Sequence, residues 1–310
     1  AFAVIALLDS VGWSVAARNP DASPRRETGG RNLLVYESAP DTLLDRVLGS
    51  LKEMRERTYS APLADRLLEP TVAAGEGGTV RLEYPPLVHP GWHLLGTDKA
   101  GDDVLYRSIK AVRTGLIIGA LPTLLALPLA MLFGIGAGYA VGAGFLGRRI
   151  DDAIQYLYTT LSCIPSILLM VSFLLVFGHG LMQLCFIMGI TSWVGLCRVL
   201  RGETMKLREL DFVQAARAQG AGAGRIILRH LAPNVSHIVL INFILNFSGL
   251  VLAEALLSYI GVGVGTETAS WGQMVNSARF ELARDPVIWW NLIAAFAFMF
   301  VLVLSANLFG

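Results

Sequence analysis

Five stretches of this chain, near 112–142, 152–177, 180–200, 235–262 and 286–309, are long and apolar enough to fill the hydrocarbon core of a bilayer, which takes roughly 20 residues as a helix. Such segments leave few ways to fold. Backbone N–H and C=O groups meet no water in lipid, so each must be bonded within its own segment, which selects helices over open strands. A shorter apolar run at 1–8 reads as the tail of a further span, with a cleaved signal peptide as the competing reading. The expected fold class is therefore all-α polytopic membrane protein, with six transmembrane helices. Residues 1–17 hold a truncated first span, 18–110 an extracytoplasmic insertion and lead-in to the second span, and 111–310 a core of five helices. A hydrophobic share of 54% against 16% charged residues fits no ordinary water-soluble domain.

Orientation follows from the basic residues. Arg148 and Arg149 lie between the second and third spans, and Arg201, Lys206, Arg208, Arg217, Arg225 and Arg229 between the fourth and fifth. The positive-inside rule puts both connections in the cytoplasm and 18–110 and 263–285 outside. Trp289 and Trp290 suit an interfacial aromatic belt at the start of the last span. A net charge of +1 gives no case for nucleic acid as a partner. Cys163, Cys185 and Cys197 fall in apolar segments without metal-site spacing and read as small buried hydrophobes.

Outside the membrane, Leu44, Val47, Leu48, Leu51 and Met54 recur at helical spacing after Asp41, which predicts a helix over 42–57 capped by that aspartate. The alternation from Thr79 to Tyr84 predicts a short strand. His89 and His93 read as solvated side chains rather than metal ligands, because no further ligand spacing accompanies them. Within the spans, Gly134, Gly138 and Gly142 recur every four residues and predict a close helix-packing seam. Pro122, Pro128 and Pro165 predict kinks. Asn242, Asn246 and Glu254 are the candidates for a polar pathway, since ionisable groups in membrane helices usually face a bundle interior or an aqueous cavity. The alternative for Glu254 is a purely structural tie near the gate. Arg198 and Arg201 read as interfacial anchors, and the adjacent Asp151 and Asp152 as a solvated helix start.

The connection 201–234 is the most informative. From Asp211 to Asn234 it reads as two short helices joined at Gly220. Asp211 and Gln214 are spaced for a capping box, and Gly220 for a left-handed stop. Ala215, Ala216 and Ala218 form a slim face that a partner's groove could accept, and Pro233 is expected to end the second helix.

Gln214-Ala215-Ala216, Gly220 and Pro233 resemble the signature of permease subunits of ATP-binding-cassette importers. The run Ala215-Ala216-Arg217-Ala218, then Arg225, Ile227, Arg229-His230 and Pro233-Asn234, is similar to the peptide and nickel subgroup. Leu95-Gly96-Thr97-Asp98 with Gly101 and Asp103, and Ala253–Val264 leading to Ser270-Trp271-Gly272, resemble the same subunits. Gln214 stands where glutamate is usual, and Asp102 where arginine is usual.

The resemblance implies a non-enzymatic permease in the bacterial cytoplasmic membrane, forming half of a path for di- or oligopeptides by alternating access. Permeases for nickel complexes, opines or glycosides are the close alternatives. It implies that Asp211, Phe212, Gln214, Ala215, Ala216, Arg217, Gly220 and Pro233 couple the chain to an ATPase. The implied partners are a second homologous permease, two cytoplasmic ATPase subunits and an extracytoplasmic solute-binding protein. ATP and Mg belong on the ATPase subunits, because the sequence contains no Gly-x-x-x-x-Gly-Lys-Ser/Thr loop, and no cofactor or metal is expected here. A helix-turn-helix reading of the Gly220 region is disfavoured by its place between spans. A passive channel or scaffold has no need of this loop, and no catalytic cluster supports a membrane enzyme.

Overall fold

The computed structural model describes residues 2–13, 41–74, 80–265 and 268–309. In chain order the elements are α1 (Phe2–Ser10), β1 (Gly12–Trp13), β2 (Asp41–Thr42), α2 (Leu43–Val47), α3 (Gly49–Glu53), β3 (Thr71–Ala74) and β4 (Val80–Glu83). These are followed by α4 (Val104–Ala140), α5 (Gly144–Cys163), α6 (Ser166–Phe177), α7 (Leu181–Leu207), α8 (Asp211–Ala218), α9 (Ala223–Ile226), a π-helical turn (Ile227–Leu231), α10 (Ala232–Ile260), α11 (Trp271–Glu281) and α12 (Trp290–Phe309). Helices dominate, and among the described residues the strands form two small antiparallel ladders, β1 with β2 and β3 with β4. The chain is thus not strictly all-α. The chain divides into two compact units, Ala1–Leu116 with Thr266–Leu302, and Ile117–Gly265 with Val303–Gly310.

Among the described residues, four helical runs are long and apolar enough to cross a membrane: Val104–Ala140, Leu181–Leu207, Ala223–Ile260 and Trp290–Leu308. A fifth span exists if α5 and α6 count as one, but they meet at 82°, so the span expected over 152–177 is broken at the proline where a kink was expected. Pro165 is the cause. It disfavours helical geometry at Ile164, which is extended at φ −94°, ψ 125°. Pro122 and Pro128 remain inside α4 without ending it. The nine described residues of α1 fall short of a span, and residues 14–40 of the expected first span and insertion lie outside the described residues.

In the second unit the glycine seam closes on α7. A Cβ at Gly134 would stand 2.7 Å from the Cys197 carbonyl oxygen, and one at Gly138 2.6 Å from that of Arg201. Such contact permits dispersion along the whole seam where lipid supplies no hydrophobic drive. Two apolar clusters fill this unit, one around Trp193, Leu196, Leu200 and Leu231, the other around Ile118, Leu174, Met188 and Leu257. Cys185 and Cys197 are buried as expected, whereas Cys163, at the α5–α6 break, is exposed.

In the first unit the helix expected over 42–57 is two short helices. Its cap is Thr42 rather than Asp41: the Thr42 hydroxyl accepts from the Asp45 amide and the Asp45 carboxylate from the Thr42 amide. Asp45 also accepts from the Tyr106 hydroxyl and Lys110. Burial pushes the Asp45 carboxyl up, but these hydrogen bonds outweigh it and hold it below the usual range. The strand expected from Thr79 is β4, in register with β3 through Val72 opposite Leu82.

Candidate functional site

The segment between α7 and α10 is built by two turns that the sequence sets in different ways. At the first, Gly220 takes φ +79°. The Ala221 amide reaches the Ala216 carbonyl and the Gly220 amide that of Arg217, closing α8 with the left-handed stop expected of glycine. The N-terminus departs from expectation. Leu210 is the cap residue, with no side-chain cap bond, and Asp211 lies in the first turn of the helix. There its carboxylate faces the positive end of the helix dipole instead of capping it. Gln214 does not close a capping box, because its Nε2 donates to the Arg208 carbonyl instead.

The second turn concerns Pro233, which does not end the helix after α9. Helical structure continues from Ala223 to Ile260, with Pro233 in the first turn of α10. The π turn makes this possible. In regular α-helix the proline ring would clash with the carbonyl four residues back, whereas here the Ala232 amide bonds to the Ile227 carbonyl, five residues back. Asn234 Nδ2 donates to the His230 carbonyl at 2.6 Å.

Burial splits α8 into two faces. Val213 and Ala216 point into the second unit, where Ala216 is only 8% exposed. Asp211, Phe212, Gln214, Ala215, Arg217 and Ala218 are exposed. The slim outward face therefore consists of Ala215 and Ala218. Ala216, expected with them, follows Val213 at i+3 and belongs to the packed face. Arg217 lies over the Tyr139 ring at 5.5 Å. Beside the outward face is an open cleft lined by Phe212, Ala215, Gln219, Gly220, Arg225, Arg229 and His230 among others.

Near this segment, Asp151 and Arg201 make a bond that the sequence reading missed. Arg201 Nε and Nη2 donate to the two Asp151 oxygens at 2.6 and 2.8 Å, and Gln155 adds a third bond. Asp151 is 5% exposed, so it is a buried inter-helix tie rather than a solvated helix start, and Arg201 is its partner rather than an interfacial anchor. Nothing in the local sequence around either residue signals the pairing. On α10, Asn242 and Asn246 are half-buried and Glu254 is buried, accepting a 2.7 Å bond from the Ser258 hydroxyl.

The first unit carries a second polar centre. His93, expected to be solvated, is 1% exposed. Its Nδ1 lies 2.9 Å from Asp103 and its Nε2 3.6 Å from Glu56. The Asp103 bond, aided by both carboxylates and opposed by burial, holds the imidazole above its ordinary value. Glu56 accepts from the amides of Val88 and His89. No group able to hold a metal ion occurs among the described residues. Asp102 faces Arg55, Nε to Oδ1 3.1 Å; burial, with Asp98 beside it, pushes this carboxyl up. Trp290, expected in an aromatic belt, is instead buried and donates to the Thr97 carbonyl, while Trp289 is exposed.

A family model described as binding-protein-dependent transport system inner membrane component matches residues 116–310. The oligopeptide transport system permease protein OppC of Bacillus subtilis (strain 168) is 29% identical over 218 residues, 70% of this chain and 68% of that one. A putative peptide permease protein of Brucella suis biovar 1 is 32% identical over 223 residues, 71% of each chain. Among solved structures, an inward facing conformation of the MetNI methionine ABC transporter superposes with a TM-score of 0.50 at 17% identity, covering 66% of this chain and 92% of that one. At that identity the likeness is one of fold.

Proposed function

The chain belongs to the family of binding-protein-dependent transport system inner membrane components, and from that premise we propose that it is one membrane-spanning half of an ATP-driven importer of di- or oligopeptides. The names of its relatives support the substrate class. The observation that carries the mechanism is α8. It is a short helix with an exposed, small-residue face, closed at Gly220 and followed by a 38-residue helical run that contains the π turn. In the proposed cycle α8 seats in a groove of a separate ATPase subunit. Closure of two such subunits on ATP and Mg moves it, and the cavity between this chain and a homologous second permease opens to a solute-binding protein outside. The six-span topology, with the ends inside, belongs to the same reading. So does a lining role for Asn242, Asn246 and Glu254. Nucleotide must bind the outward state more tightly than the inward one, since a ligand with equal affinity shifts no population.

The test is ATP turnover and peptide uptake by the complex reconstituted in vesicles, comparing the native chain with Ala215→Arg, which adds bulk to the exposed face and leaves the packed face intact. Assembly is checked by size-exclusion chromatography. Intact assembly with loss of the stimulation by loaded binding protein is the expected result; unchanged stimulation and uptake would remove α8 from the coupling role.

A further inference from the structure

The lining of the cleft beside α8 is of two kinds: Phe212, Ala215, Gln219 and Gly220 carry no charge, whereas Arg225 and Arg229 are cationic. Both arginines are exposed, and neither has an acidic partner within ion-pair reach among the described residues. Glu209 pairs with Arg208 at 2.8 Å, Glu203 with Lys206 at 3.0 Å, and Asp151 with Arg201; Asp211, in the first turn of α8, is exposed and is not among the residues lining the cleft. The positive-inside rule accounts for cations in this connection. It does not account for two of them, four residues apart, in the lining of one cleft, where like charges disfavour each other. Gln214 brings no charge to α8, and Asp211 and Arg217 there carry opposite charges, so the sign of the cleft lining is set by Arg225 and Arg229.

We propose that this cleft is filled by carboxylate side chains of the ATPase subunit, paired with Arg225 and Arg229. The inference rests on the docking reading of α8 and adds the chemistry of the partner: an acidic surface, not a basic or apolar one. Guanidinium forks bind carboxylates in a fixed orientation, so the pairs would set the rotation of α8 in its groove as well as hold it there. The small residues Ala215 and Gly220 leave room for the partner's side chains, and exposure lets them enter without displacing an existing ion pair.

The test uses the whole complex, with ATPase retention measured by pull-down across a sodium chloride series. Measurements are made in detergent and in nanodiscs of phosphatidylcholine with or without phosphatidylglycerol. Relative to wild type, Arg225→Glu with Arg229→Glu is expected to weaken association at low salt about tenfold or more. The double lysine variant is expected to keep most of it. Wild-type association should fall with salt, and this needs no variant to fold; salt-independent association overturns the proposal. If the charge-reversed chain assembles normally while Ala215→Arg still uncouples turnover, the acidic partner is wrong and the docking reading stands. If neither variant has an effect, both fall. A charge effect seen only with phosphatidylglycerol assigns the arginines to lipid headgroups and likewise overturns the proposal.

Discussion

His93 Nδ1 lies 2.9 Å from Asp103 Oδ2, with both side chains closed off from solvent. The other Asp103 oxygen accepts from the Tyr106 amide at the start of α4, so the imidazole is fastened to the terminus of a membrane-spanning helix. A value held above the ordinary 6.5 means that this centre contributes its full stability below 6.5 and loses it as pH rises through the folded-state value. The melting temperature of the purified protein should therefore fall as pH is raised above 6.5, and His93→Gln should flatten that slope. Burial also raises Glu281, which drifts in the same direction. The diagnostic is consequently the difference between the two profiles, and equal slopes would rule out the His93 contribution.

Breaking the Asp151–Arg201 pair from one side leaves a charge stranded between helices. Asp151→Asn is expected to cost about 3 kcal/mol, less to the extent that Arg201 reaches water. Asp151→Asn combined with Arg201→Met should recover part of that loss. Chemical denaturation in mild detergent measures both, and a double variant as unstable as the sum of the singles would show that the two side chains act independently.

Gly138 and Gly136 form a matched pair two residues apart in one helix. A Cβ at Gly138 would lie 2.6 Å from a backbone oxygen of α7, whereas one at Gly136 meets nothing within 4 Å. Gly138→Ala should destabilise by about 1–3 kcal/mol through overpacking. Gly136→Ala should be neutral or stabilising, since alanine favours helix over glycine. Thermal melts of the two variants, side by side, decide the matter.

Two left-handed glycines outside the membrane offer a similar contrast. Gly101 has φ +79° and a Cβ there would sit 1.9 Å from the Glu56 carbonyl oxygen, while Gly91, at φ +74°, faces open space. Gly91→Ala should cost about 1 kcal/mol from backbone strain alone. Gly101→Ala should cost several times more and loosen the 55–60 segment, an effect that amide hydrogen exchange at Glu56 would register directly.

The membrane helices were legible because lipid leaves a long apolar run little choice, and Gly134 and Gly138 showed in advance where close packing would occur. Gly220 was equally readable, since its conformation is a local property. What stayed hidden depended on partners distant in the chain. Asp151 gives no sign that Arg201 will meet it, and His93 gives none that Glu56 and Asp103 will enclose it. Pro233 misled for a related reason: its local preference was outweighed by a π turn that no spacing rule announces. Arg55 opposite Asp102 shows how a reversed charge in the Leu-Gly-Thr-Asp loop acquires a counterpart, visible only once the insertion is folded.

The helical run from Ala223 to Ile260 begins in the basic cleft and contains Glu254 near its far end. At 1.5 Å per residue its 38 residues form a rod of roughly 57 Å. Tilting such a rod by about 10° about one end displaces the other by roughly 10 Å. Its compliance is not uniform. The π turn at 227–231 carries the less regular hydrogen bonding and sits beside the end where force would be applied. A push on the cleft is therefore divided between bending that joint and swinging the shaft. The stiffness of five residues then sets how much of a small local displacement arrives at the buried carboxylate as motion.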